Sequence, residues 1–285
     1  MMKVGKGKFT YGLVDGWGKL PDGWEFNQVV GVVVDRQDNV YVCNRSAHPI
    51  IIFDRNGKFL GSWGNGALPG AHGIWMDPDE NIYLADYLNH TVKKFTNDGK
   101  LLMTLGTEGV LAKEGTPFRG PTGGAVAPSG DIYVSDGYDN SRMHRFSPDG
   151  KLIMSWGEKG KGEGQFAVPH GVFAYKDGTI YVADRQNHRI QIFTPDGKFV
   201  NQWKSDFNMP CSLFIDKNDV VYVPELHHRV SILNLKGEIL VRWGGVESHA
   251  PGMFFGPHTA YTDSQGDLYI GEVLEGQRIQ KFAKI

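Results

Sequence analysis

The sequence predicts an all-β fold, a six-bladed β-propeller of four-stranded antiparallel blades, on three observations. Glycine and proline are frequent, at 38 and 14 of 285 residues, and no long stretch carries the apolar period of a helix. Short alternating apolar runs separated by turn residues fill the chain instead. One such meander recurs six times in a fixed register, with the spacing of about 40 to 50 residues that marks propeller blades.

The register is set by Tyr41, Tyr83, Tyr133, Tyr181, Tyr222 and Tyr269, each between two aliphatic residues. Counting back 11 residues from each reaches Val30, His72, Thr122, His170, Cys211 and His258. Three residues beyond each tyrosine stands Asn44, Asp86, Asp136, Asp184, Glu225 or Glu272, placed to bond turn amides.

Taken along the chain, "GKFTYGLVDGWGKL" (7–20) resembles the fourth strands "GKFLGSWG" (57–64) and "GKLIMSWG" (150–157), whereas the sixth copy stops at "RIQKFAKI". The N-terminal strand is therefore expected to complete blade six, which removes two unpaired sheet edges. The fourth copy shows the unit in full: "HGVFAY", a turn at "KDG", "TIYVAD", a turn at "QNH", "RIQIF", a turn at "TPDG" and "KFVNQW". Gly178 and Gly197 supply the positive φ that such turns need. Trp17, Trp63, Trp156, Trp203 and Trp243 fall at one place in the outer strands and are read as blade packing. The whole chain, 1–285, is expected to form one domain.

Composition narrows the partners. A formal charge of −2 and a pI near 6.5 offer nothing to a nucleic-acid backbone or an anionic membrane. No run of about 18 apolar residues suggests a membrane span, and "MMKVGKGKFTYG" lacks an export signal, so a cytoplasmic setting is expected. Two cysteines, Cys43 and Cys211, make no disulfide framework. The expected partner is a small-molecule or peptide-like substrate.

In a propeller the first strands line the channel, so equivalent positions form a ring. His72, His170 and His258 hold this position in blades two, four and six, and should point inward from directions about 120° apart. Three protein ligands with an open fourth position is the arrangement of catalytic zinc. Zinc is the first choice for neutral imidazoles; iron, cobalt and nickel take the same ligands. Cys211 occupies the position in blade five and is read as a small buried hydrophobe, not a ligand. His48, His90, His144, His188, His227, His228 and His249 are placed in turns or outer strands and read as ordinary surface or turn residues.

Arg45, Tyr87 and Arg185 follow their tyrosines by four residues, and Tyr138 by five, where the second strand turns over. Arginine there suits a substrate carboxylate; a salt bridge with an acidic neighbour is the alternative for Arg185 and, less so, for Arg45. Tyr138, in "SDGYDNSR", reads equally as a loop residue or a proton-transfer group.

With these residues placed, the chain resembles the NHL-repeat six-bladed propellers and, within them, the peptidyl-α-hydroxyglycine α-amidating lyases. The resemblance is strongest over 135–173 and "VADRQNHRIQIF" (182–193), with "HGIWMD" (72–77) and "PHTAY" (257–261) at the other two histidines. It implies zinc on the three histidines and release of glyoxylate and an amide from a C-terminal α-hydroxyglycine. It also implies catalytic roles for Tyr138 and Arg45, with Arg185 as a second arginine. Around the third histidine the lyases have methionine, proline, histidine and aspartate. This chain has Gly256, Pro257, His258 and Thr259, so the aspartate that helps those enzymes hold a structural calcium is missing and calcium is not expected. Gly256 in place of the thioether is expected to widen the channel beside the metal. Two other readings accompany the lyase: a metal-dependent propeller hydrolase of esters or lactones, and a non-catalytic binding scaffold.

Overall fold

Every second strand is buried along its full length, as a continuous apolar run packed on both faces must be. These strands sit inside six antiparallel sheets, five of four strands and one of five, in a computed structural model that describes residues 2–285. The chain is thus the all-β six-bladed propeller its repeats predict. Among the described residues the only helical turn is a 3-10 turn at Arg185–Asn187, and no helix is long and apolar enough to cross a membrane.

Blade one runs Val29–Val34, Val40–Asn44, Ile50–Phe53 and Phe59–Trp63. Blade two runs Ala71–Met76, Ile82–Asp86, Thr91–Phe95 and Leu101–Leu105. Blade three has Pro121–Val126, Ile132–Asp136, Arg142–Phe146 and Leu152–Trp156; blade four has Pro169–Ala174, Ile180–Asp184, Arg189–Phe193 and Phe199–Trp203. Blade five opens with a strand of two residues, Phe214–Ile215, then Val221–Glu225, Arg229–Leu233 and Ile239–Gly244. Blade six joins Pro257–Thr262, Leu268–Glu272 and Arg278–Lys284 to the N-terminal Phe9–Val14, with Lys3–Lys6 as a fifth, outer strand. By packing, the chain divides into two compact units of three blades each: Met1–Gly66 with Phe214–Ile285, and Ala67–Leu213.

Closure of blade six is as expected, with Tyr11 paired to Lys284 and Val14 to Lys281. The fifth strand was not legible, because it buries only Val4. Trp63, Trp156, Trp203 and Trp243 lie at or next to the ends of fourth strands. Trp17 lies beyond its strand, packed 5.3 Å from the Phe53 ring and 5.1 Å from that of Tyr269.

The polar residues closing the second strands act largely as predicted. Asp136 accepts the amides of Arg119 (2.9 Å) and Gly120 (2.7 Å), Asp184 that of Ala167 (2.8 Å) and Glu272 that of Phe255 (2.7 Å). The Glu225 carboxylate takes Arg229 and the Ser231 hydroxyl. Burial pushes the Asp184 carboxyl up, against Asn187, the Ala167 amide and Arg189, which stabilise its charge.

Candidate metal centre

The site begins with a defect in the sheets. Between first and second strands the ladder slips at Val29/Gly31, Pro121/Gly123, Pro169/Gly171 and Pro257/Thr259, and over a longer gap at Ala71/Ile74. The skipped residues are the ring residues Val30, Thr122, His170, His258 and His72, the last together with Gly73. A bulged residue leaves its backbone groups out of the ladder, and His72 and His258 use the carbonyls so released, while His170 uses that of Cys211, which lies ahead of the first strand of blade five. His72 Nδ1 lies 2.6 Å from Thr122 O, His170 Nδ1 2.7 Å from Cys211 O, and His258 Nδ1 2.8 Å from Val30 O. Each histidine thus bonds the ring residue of the next copy in the repeat.

A carbonyl only accepts, so in all three rings Nδ1 carries the hydrogen, and in the neutral imidazole Nε2 keeps the lone pair. All three side chains are buried, and their ligand-type nitrogens lie within 4.8 Å of one another. Three buried histidines with the same fixed tautomer fit a divalent transition metal, which wants neutral imidazole nitrogens whose other N–H is held by the protein.

Close approach of the carbonyls depends on glycine. A Cβ at Gly73 would lie 2.5 Å from Thr122 O, and one at Gly171 2.6 Å from Ser212 Cα. Gly73→Ala is therefore expected to push the two strands apart and lower Tm by several degrees, as a change of ~1–3 kcal/mol does. A thermal melt checks it, and an unchanged Tm would show that the strands give way freely.

Within the unit Ala67–Leu213, Tyr138 joins two of the histidines. Its hydroxyl is 2.7 Å from His72 Nε2, so the phenol donates to that lone pair. Its ring lies edge-on to His72 at 5.3 Å, to Tyr87 at 5.4 Å and to His170 at 6.0 Å. The Arg185 guanidinium lies 5.7 Å from the Tyr138 ring centre, and its Nε is buried without a hydrogen-bond partner. Among the described residues no ion pair involves Arg185. In the other unit Arg45 Nη1 donates to Gln28 Oε1 at 2.6 Å and its backbone N–H to Asn27 O at 2.6 Å.

Two expectations need correction. His144 is neither a surface nor a turn residue: it lies on the third strand of blade three, fully buried, with Nε2 3.3 Å from Asp136 Oδ2 and Nδ1 2.7 Å from Ser155 Oγ. Paired with Val134, it stands where Gln191 pairs with Val182 and Gln280 with Ile270, and each of those also bonds its blade's carboxylate. Nor does Gly256 widen a channel: its Cβ would lie 2.9 Å from Val273 O, so the absent side chain is room the neighbouring backbone already takes. Gly256→Met should accordingly lower Tm rather than change substrate preference. Thr259, in the place of the missing aspartate, accepts the Val32 amide at 3.3 Å. Cys211 is buried, and its contribution to the site is its carbonyl.

Residues 118–146 and 166–193 match the NHL repeat. The mouse peptidyl-glycine alpha-amidating monooxygenase is 50% identical over 80 residues, 26% of this chain and 8% of that protein. The human NHL repeat-containing protein 3 is 33% identical over 198 residues, 65% of this chain and 57% of that one. The chain thus spans less than a tenth of the first relative and just over half of the second. A solved structure of streptogramin B lyase shares the fold with a TM-score of 0.66 at 13% identity, covering 91% of this chain and 94% of its own.

Proposed function

Since the chain is an NHL-repeat six-bladed propeller, we propose that it is a metal-dependent lyase acting on a hydroxylated carbon that bears nitrogen, with zinc as the metal. The observation that carries this reading is the repeated fixing of His72, His170 and His258 through Nδ1. The similarity to the amidating enzymes, among them a probable peptidyl-alpha-hydroxyglycine alpha-amidating lyase of Caenorhabditis elegans 38% identical over 92 residues, supports the substrate class, a carbinolamide such as a C-terminal α-hydroxyglycine. His72, His170 and His258 would hold the ion, which when bound supplies Lewis acidity toward a substrate oxygen.

The chain's residues do the rest. Arg185, with a buried donor unused, receives the substrate carboxylate in a planar fork, and Arg45 assists. Tyr138, which otherwise donates to His72 Nε2, gives its phenol proton to the departing nitrogen as it takes the proton of the substrate hydroxyl, so the phenol is regenerated. The C–O bond becomes a carbonyl as the C–N bond breaks, and the nitrogen keeps the electron pair and gains a proton, so no water is consumed. The buried rings of His72 and His170 beside Tyr138 keep solvent from one side of the reacting carbon.

Turnover in oxygen-18 water with an α-hydroxyglycine peptide tests the reaction class. Release of an amide and an aldehyde at equal rates is expected, and label in a carboxylate product would assign a hydrolase instead. Arg185→Ala is expected to raise KM about tenfold or more with a smaller change in kcat, the loss of one charged hydrogen bond. Arg45→Ala should follow the same split. Unchanged KM in both variants would remove the carboxylate clamp.

A further inference from the structure

Blade three contributes no histidine to the ring, yet it holds two buried hydroxyls between the blades that do. Thr122 and Ser135 are 1% and 0% exposed, and their hydroxyl oxygens are 2.9 Å apart. Thr122 Oγ1 lies 2.9 Å from Pro169 O and Ser135 Oγ 3.0 Å from His170 O, both in the first strand of blade four. Their own blade offers the carbonyls of Ser135 and Gly123, each at 3.1 Å. Two hydroxyls have two protons to share among four carbonyls and each other, and the shorter carbonyl distances lead to Pro169 and His170.

The other intervening blades manage without such a pair. Where blade three has Thr122 and Ser135, blade one has Val30 and Cys43 and blade five Cys211 and Pro224. Packing therefore does not require hydroxyls at these positions, and burying them costs free energy unless each finds a partner. Their partners are specific. The Thr122 carbonyl orients His72, and the same residue's side chain, with Ser135, ties down the bulge that carries His170.

We infer that Thr122 and Ser135 are positioning residues for ligation, coupling the orientation of His72 to that of His170 without touching an ion. The inference rests on the three histidines binding one metal. It places part of the site's affinity in a blade that supplies no ligand.

The test is zinc affinity, measured by competition with a chromogenic chelator, with Tm recorded for each variant. The parent chain and His72→Ala come first: a parent that binds no zinc overturns the metal reading, and this inference with it. Given a binding parent, the double variant Thr122→Val with Ser135→Ala should lose affinity on the order of 10- to 100-fold, the usual effect of removing groups that support metal ligands. Thr122→Ser, which keeps the hydroxyl, should hold affinity near the parent's. Ile132→Val, a cavity in the same second strand, should lower Tm without moving affinity. Parent-like affinity in the double variant, or an equal loss in Ile132→Val, overturns the inference while leaving the metal reading intact. If the double variant does not fold, Ser135→Ala alone decides: a loss of several-fold supports the coupling, and none refutes it.

Discussion

Purified protein is expected to carry about one zinc-class ion per chain, and replacing any one of His72, His170 or His258 by Ala to abolish it. Each substitution removes a ligand from a set of three, and two imidazoles with no further protein donor hold a divalent ion far less tightly. Each also strips the partner from a buried carbonyl at Thr122, Cys211 or Val30, at a cost of about 1–3 kcal/mol. The variants should therefore melt several degrees lower. That second effect demands a control. His144→Ala removes an equally buried histidine bonded to Asp136 and Ser155, so it should lower Tm and keep the ion. Elemental analysis after exhaustive dialysis reads all four variants. Full metal retention in the three ring variants would falsify the site, and loss in His144→Ala would trace metal loss to general destabilisation.

The ring was legible because register carries more information than residue type. A lone histidine between Pro169 and Gly171 says little, but three at one place in alternate copies share a position in the fold before any coordinate is known. What holds those histidines was not legible. The acceptors are backbone carbonyls, present at every residue, and the bulge that frees two of them has no residue signature: its ring positions hold Val30 and Thr122 as readily as histidine. The hydroxyl pair was hidden for a related reason, since Thr122 and Ser135 lie 13 residues apart and reach Pro169 and His170 only across blades.

The two corrections share a cause. His144 looked ordinary because it fits no ring position, yet counting along the third strand places it with Gln191 and Gln280, residues whose amides serve buried carboxylates. Gly256 was read for the volume it removes, but the direction of a missing Cβ depends on backbone conformation, and here it points at the Val273 carbonyl. Residue type predicts chemistry, whereas orientation has to come from the fold.

Tyr138→Phe is expected to keep the ion and the fold but lower kcat by a factor on the order of 10² to 10⁴, the range for a positioned acid or base. The substitution deletes one oxygen and leaves the ring contacts with His72, Tyr87 and His170 in place, so packing changes little. What disappears is the hydroxyl 2.7 Å from His72 Nε2, the group assigned to the substrate proton. Loss of that hydrogen bond alone would leave His72 with its Thr122 contact and its tautomer, so metal affinity should stay within a few-fold of the parent. The split between kinetics and binding is then diagnostic: a proton-transfer role depresses kcat with KM nearly unchanged, whereas a role in holding substrate raises KM. Single-turnover rates with metal-loaded protein isolate the chemical step from product release. A Tyr138→Phe protein whose single-turnover rate matches the parent's would make the phenol a packing group of the loop, and the proton would then need another acceptor.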